Sequence, residues 1–450
     1  MTPTPKTLAL LAGTLAGTLG GAAQAEFLKD SKATLNLRNF YINNDVRNQA
    51  SPSIREWGQA FMLDYKSGLT EGPVGVGLDV LGLWGVRLDS GGDADKKNGL
   101  ERSPGSVFPL QSNGQAVGEF GRVGVTGKLQ VSKTEVRVGT LLPRLPVITY
   151  TDSRMLPQTF EGEQITVREI DRLTLVGGQI EHAAERNSSG YHGMSIGGAN
   201  SGAKAQDSNK FYYAGADYQI SKSLLAQYYY GNLQDFYQQH FLGLVHNWTL
   251  PVGALKTDLR YFASTSDGKN ASAAGRAEGY VGSGYYGVGA NGKAITSGEI
   301  DNRLWSGQLT YSLEGHALSA GYQQVSGNSD FPHLNDGQGR TLYLLTNAQM
   351  HKFHNAGEKT WVLGYVYDFA KVGAPGLRTS LNYFTGRDID DSQYQRKEWE
   401  RDLRVDYAVQ SGPLKGLDFV WQYAMWHGND LGQRDQDEHR LIVNYAIPLL

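Results

Sequence analysis

Several short motifs in this 450-residue chain have the spelling of chemistry. Gly193-Met194-Ser195-Ile196-Gly197 matches G-x-S-x-G, the turn that lifts a nucleophilic serine above an α/β sheet. That turn must pass from a strand into a helix, and no helical segment follows Gly197. Residues 282–287 and 287–292 both match G-x-G-x-x-G, which holds a pyrophosphate only where it opens a helix within a βαβ unit. Neither stretch does. His351 and His354 are separated like a metal pair, but no helix aligns them and no third ligand is evident. The run 433–440 carries five charges and reads as a solvated loop. No catalytic constellation survives, so the chain is expected not to be an enzyme, and neither a cofactor nor a metal is implied. What remains is a series of cations placed one at a time: Arg87, Arg122, Lys128, Arg137, Arg260, Arg378, Arg404 and Arg440.

Each of these cations sits opposite an apolar face. Leu35 and Leu37 alternate with Asn36 and Arg38. In 57–66, Trp57, Phe61, Leu63 and Tyr65 share one side, and Asp64 and Lys66 the other. In 76–89, Val76, Leu78, Val80, Trp84 and Val86 oppose Asp79, Arg87 and Asp89. The same period of two recurs at 122–129, 135–141, 172–180, 255–262, 305–313, 361–369, 377–384, 402–409, 417–426 and 439–447. Period two is the mark of strands with one apolar face, and helical spacing is rare throughout. The expected fold class is all-β.

Composition narrows this further. The chain has 57 glycines, 25 tyrosines, 15 phenylalanines, 8 tryptophans and no cysteine, with a formal net charge of −3. Mean hydropathy is −0.41. The absence of cysteine removes disulfide scaffolds and Cys-ligated metal sites, and a slightly acidic chain is a poor nucleic-acid binder. The N-terminus reads as a secretory signal: Lys6, an apolar stretch at 8–19, and Ala23-Gln24-Ala25 as a cleavage site. Cutting after Ala25 leaves residues 26–450 as one domain. Aromatic residues close the apolar faces (Trp57 and Tyr65, Trp305 and Tyr311, Trp361 and Tyr367), as interfacial girdles would. The opposite faces hold the isolated charges that a watery lumen permits. Short turns at 69–73 and 411–416 contrast with long polar stretches at 90–118, 143–168 and 263–300. These features predict a transmembrane antiparallel β-barrel, and about 24 residues per strand predicts about 18 strands. Pro143, Pro146 and Pro157 interrupt ladder pairing, so 143–168 is expected to fold inward, as is the irregular stretch 326–358.

The stretch Asp152-Ser153-Arg154-Met155-Leu156-Pro157-Gln158-Thr159-Phe160-Glu161-Gly162 resembles the inward loop of the OprD family of outer-membrane carboxylate channels. Phe27-Leu28-Lys29-Asp30-Ser31 resembles that family's mature start, and Ala356-Gly357-Glu358-Lys359-Thr360-Trp361 its approach to a late strand. Glu398-Trp399-Glu400-Arg401-Asp402-Leu403 and residues 409–417 resemble its C-terminal strands. The resemblance implies an 18-stranded porin of the bacterial outer membrane, monomeric or loosely trimeric, in contact with outer-membrane lipid and lipopolysaccharide. It also implies a pore constricted by inward loops and solutes that bear a carboxylate, such as amino acids or aromatic acids. A ladder of basic residues would guide them. By motif, Arg154 and Arg404 match that ladder, and alternation adds Arg38, Arg87, Arg137 and Arg378. Tyr150, Asp330 and Asp336 are expected on the opposite side of the constriction. The chain departs from the family in having Gln422 where an arginine is usual and Leu450 in place of a terminal phenylalanine. The alternative reading is a general, non-selective porin or a structural barrel of the envelope.

Overall fold

The computed structural model describes residues 29–47, 53–90, 104–197, 204–284, 296–334, 341–390, 396–429 and 435–450; the expected leader at 1–25 lies outside them. The first nine strands are β1 (Lys32–Val46), β2 (Ile54–Lys66), β3 (Gly75–Asp89), β4 (Glu119–Val131), β5 (Thr134–Leu141), β6 (Arg144–Leu145), β7 (Ile148–Thr149), β8 (Thr159–Val167) and β9 (Leu173–Ala184). Then come β10 (Phe211–Ser221), β11 (Leu224–Leu233), β12 (Tyr237–Thr249), β13 (Ala254–Ser266), β14 (Asp301–Leu313) and β15 (His316–Gly327). The last five are β16 (Lys359–Asp368), β17 (Leu377–Ile389), β18 (Arg396–Ala408), β19 (Asp418–Gly428) and β20 (Gln436–Pro448).

Eighteen strands form one antiparallel sheet in which each pairs with the next along the chain, β5 passing to β8. Because β1 pairs with both β2 and β20, the sheet closes into a barrel. Closure satisfies every ladder without leaving an edge, the condition for strands to cross a membrane. β6 and β7 pair only with each other, inside the first inward loop. At the end that holds the start of β1, turns are short. Glu314 (φ 47°) and Gly315 (φ 89°) make a two-residue hairpin whose positive φ values match the twist of paired strands. The other end carries the connections 90–118, 185–210, 267–300 and 328–358. Short turns mark the periplasmic end and long loops the outer end.

The outer surface of the wall is apolar: Val123, Leu242 and Leu363 stand exposed along it. Near the long-loop end, Trp305, Tyr322 and Trp361 form a row with ring centroids 5.3 and 4.9 Å apart. The tryptophan–tyrosine pairs expected at strand ends fall at opposite ends of β2, β14 and β16.

Two expectations change in detail. Only 142–158 leaves the wall in the first inward loop; Thr159–Val167 returns to it as β8. β8, β10, β11, β12 and β15 also lie outside the segments with clear alternation. In β10 and β11 the inner face is aromatic too, with Phe211, Tyr213 and Tyr229 buried behind exposed Tyr212 and Tyr228, so the polar half of the pattern is lost. Those inward aromatics belong to a core that sits inside the outer half of the barrel. One cluster gathers Phe160, Phe211, Tyr229, Phe241, Phe262 and Phe331. A second gathers Phe40, Ile42, Leu83, Phe108, Phe120, Met155 and Leu156. Glycine makes room for the second: a Cβ on Gly58 would lie 2.5 Å from Met155 Sδ and 2.7 Å from Phe108 Cζ. Part of the glycine surplus is therefore a seat for the inward loop.

Candidate functional site

The first inward loop hangs from the barrel wall by guanidinium groups. Alternation on β1 turns Arg38 into the lumen, where it donates Nη1 to Asp152 Oδ1 (2.7 Å) and Nη2 to Asp152 Oδ2 (3.2 Å). It also reaches the Arg154 carbonyl (2.9 Å), and its Nε donates to Asn444 Oδ1 (3.1 Å) on β20. On the other side Arg122 of β4 donates to Thr159 Oγ1 (2.9 Å) and to the Pro157 carbonyl. Met155 and Leu156, fully buried, fill the gap between these two anchors.

The second inward loop hangs by carboxylates. Alternation on β18 turns Glu400 and Asp402 inward. Glu400 accepts the Met350 and His351 amides (2.7 and 2.8 Å), and Asp402 accepts the Gln349 amide (2.8 Å). Gln323 of β15 donates to Thr346 Oγ1 and the Phe353 carbonyl, both at 2.8 Å. The two loops meet where Thr151 Oγ1 and Thr341 Oγ1 lie 3.0 Å apart. Glu56 fastens a third loop by accepting the Ser106 and Val107 amides at 2.8 Å.

A single carboxylate ties both inward loops to β20. Glu438 lies 3.7 Å from Arg154 and 2.5 Å from Arg440, with all three side chains 4–5% exposed. Gln349 Nε2 donates to Glu438 (3.1 Å), and Arg440 donates to the Gln349 carbonyl (3.1 Å). Burial first, and then the charge of Arg440, push the Arg154 pKa well below its ordinary value, while Glu438 acts against both. The run 433–440, read from sequence as a solvated loop, is corrected here: Gln436–Arg440 opens β20 and supplies this brace. Its signal was the shared parity of Glu438 and Arg440 with inward Ile442 and Asn444.

Towards the periplasm the lumen is more open. One cavity is lined by Arg38, Asn36, Asp64, Tyr150 and Asp152 together with Asn444. Tyr150 accepts a hydrogen bond from exposed Arg144 at 2.5 Å, so the tip of the loop presents a guanidinium that the sequence reading passed over. A second cavity is lined by Arg378, Ser380, Asn382, Arg404, Asp406 and Asp418. Arg404 pairs with Asp406 (2.5 Å). Arg378 is exposed and has no side-chain partner among the described residues. In register, Ser380, Arg404, Gln422 and Arg440 form one row across β17 to β20, so Gln422 stands between two arginines.

The other expected residues lie elsewhere. Arg154 is buried in the brace. Arg87 is exposed near the outer mouth and donates to the Ala116 carbonyl (2.5 Å). Arg137 pairs with Glu135 (2.8 Å) on β5, on the far side of the ring from β17. Asp330 is turned to fastening, since it accepts the Ala356 amide and the Ser283 hydroxyl, each at 2.9 Å. Asp336 lies outside the described residues. Ser195 sits in an outer loop between two isolated bridges, and the next regular element after it among the described residues is β10, not a helix. His351 stacks on Trp426 with centroids 4.0 Å apart, and no metal-holding cluster occurs among the described residues.

Comparison with known proteins points one way. A family model described as outer membrane porin, OprD family, matches residues 25–449. The porin-like protein GalP of Pseudomonas putida is 34% identical over 440 residues, covering 97% of each chain. Among solved structures, OccK8 (OprE) of Pseudomonas aeruginosa is 53% identical, covers 94% of this chain and all of its own, and has a TM-score of 0.86. OpdK of Pseudomonas aeruginosa, solved with vanillate, is 33% identical over 94% of this chain and all of its own, with a TM-score of 0.80.

Proposed function

The chain belongs to the OprD family of outer membrane porins, and from that premise we propose that it guides small carboxylate-bearing solutes past guanidinium groups on its lumen wall. It is a passive channel of the bacterial outer membrane and not an enzyme. The observation that carries the finer reading is that Arg38 and Arg404 each line a lumen cavity while holding an internal carboxylate, Asp152 or Asp406.

Such a pair already has the fork-to-carboxylate geometry that a solute would use. An entering carboxylate takes the place of Asp152 or Asp406 on its arginine and is released when the internal acid returns. Exchange of this kind keeps each contact weak, about 1 kcal/mol or less as for solvated ion pairs, which is what permeation needs: binding favourable enough to enter and weak enough to leave. Arg144 with Tyr150 and then Arg38 serve the constriction, and Arg404 and Arg378 the periplasmic wall. Arg87 at the mouth and Arg137 on the far wall widen the positive field, while Arg154 acts as a fixed buried charge. The vanillate bound by OpdK, an aromatic carboxylate, fits the same solute class.

Planar bilayers holding the purified barrel test this. Under a sodium benzoate gradient, the reversal potential is expected to show benzoate favoured over sodium. A potential showing no preference for the anion would place the protein with general porins.

A further inference from the structure

Alternation divides the strand cations into two sets. Most face the lumen. Arg55, Arg303, Lys359, Arg387, Lys397 and Arg401 face lipid, and all of them lie in the long-loop halves of their strands. Among the described strand residues no lysine or arginine faces lipid in the periplasmic half. Girdle aromatics occur at both ends, so an interfacial role common to both leaflets does not explain cations at only one.

Three of these residues stand together. Lys359 on β16 and Arg387 on β17 are direct cross-strand partners. On β18, Lys397 lies against the register shift between Gly386 and Ile389, where β17 carries an extra residue. Arg387 and Lys397 are exposed and have no side-chain partner among the described residues; Lys359 holds Asp388 at 2.9 Å. Like charges on facing residues of neighbouring strands repel, and one aspartate offsets only part of three cations. Directly towards the membrane centre, Trp361, Thr385 and Trp399 run in register across the same strands, marking the level of the lipid interface. The cations thus stand about two residues, or roughly 7 Å, above that interface.

We propose that Lys359, Arg387 and Lys397 form a site for the phosphate groups of lipopolysaccharide, the anionic glycolipid of the outer leaflet. Charge complementarity carries the assignment. A phosphate at that height presents three acceptor oxygens to two flexible ammonium groups and one guanidinium fork, and it relieves their mutual repulsion. The site lies outside the lumen, so it is independent of how solutes pass.

The test uses the folded barrel in non-ionic detergent, titrated with bis-phosphorylated lipid A and followed by native mass spectrometry. Lipid A lacking both phosphates and phosphatidylglycerol serve as parallel arms. The K359Q/R387Q/K397Q variant is expected to bind bis-phosphorylated lipid A at least about tenfold more weakly, with unchanged single-channel conductance. A second variant, K133Q/K222Q/K371Q in the periplasmic turns, is expected to bind as the parent does. Undiminished binding by the first variant, or equal binding of dephosphorylated lipid A or phosphatidylglycerol by the parent, overturns the proposal. If the first variant does not refold, the comparison of the three lipids on the parent barrel still decides.

Discussion

Two arginine–carboxylate sites in this lumen have nearly the same short contact and opposite surroundings. At the brace, Arg440 meets Glu438 at 2.5 Å, with the side chains 5% and 4% exposed. On the periplasmic wall, Arg404 meets Asp406 at the same 2.5 Å, with the side chains 43% and 25% exposed. Coulomb energy at a given distance scales inversely with the effective dielectric, so the first pair is strongly bound and the second is screened by water. The buried pair cannot trade partners without stranding a charge; the wet pair can. On the proposed function, one lumen uses a single chemistry for two ends: fastening loops where the pair is buried, and meeting solutes where it is wet.

The largest effect that separates the two sites is expected from Glu438→Ala. It leaves Arg154 and Arg440 buried without their shared counter-charge, at a cost of about 3–5 kcal/mol. The urea midpoint of the purified barrel should fall, and single-channel conductance should rise as both loops lose their tie to β20. A more modest disturbance of the brace comes from Gly58→Val, which drives a side chain into Met155 and Phe108 at a cost of roughly 1–3 kcal/mol. Here conductance should change while the preference for carboxylates persists, because no lumen charge is altered. On the wet side, Arg404→Gln should lower carboxylate influx about two- to fivefold, the equivalent of one screened contact, with an unchanged urea midpoint. A shift of that midpoint as large as the Glu438→Ala shift would erase the distinction between the sites. The smallest change is expected from Arg378→Gln, roughly twofold or less in influx, since this guanidinium is exposed and its contact with a solute is strongly screened by water.

What was legible in the sequence follows from how each feature is encoded. The lipid face is written locally: one apolar residue in every two, ended by an aromatic, suffices to read β2, β14 or β16 without any long-range contact. The strand count followed from length, although β10 and β11 carry aromatic residues on both faces and escape the alternation. The brace is not local. Arg154 and Glu438 are separated by most of the chain and meet only because closure sets β20 beside β1, under the loop that Arg38 holds. Asp330 fastens to Ala356 and Ser283, contacts between outer loops that alternation along strands does not encode, and Arg144 lies on β6, off the wall, where alternation carries no information. Sequence spacing placed Arg38, Arg378 and Arg404 on the lumen face, but only folding separates the wet guanidinium groups from the buried ones.

The central claim, that wet lumen arginines select carboxylates, is tested most directly by swelling of proteoliposomes in benzoate and in benzamide, which differ little in size and shape but not in charge. The parent barrel is expected to admit benzoate several times faster, and R378Q/R404Q, which leaves the Arg38 anchor of the inward loop in place, to lose most of that preference with benzamide influx unchanged. Equal rates in the parent, or a benzoate preference undiminished in the double variant, would contradict the account.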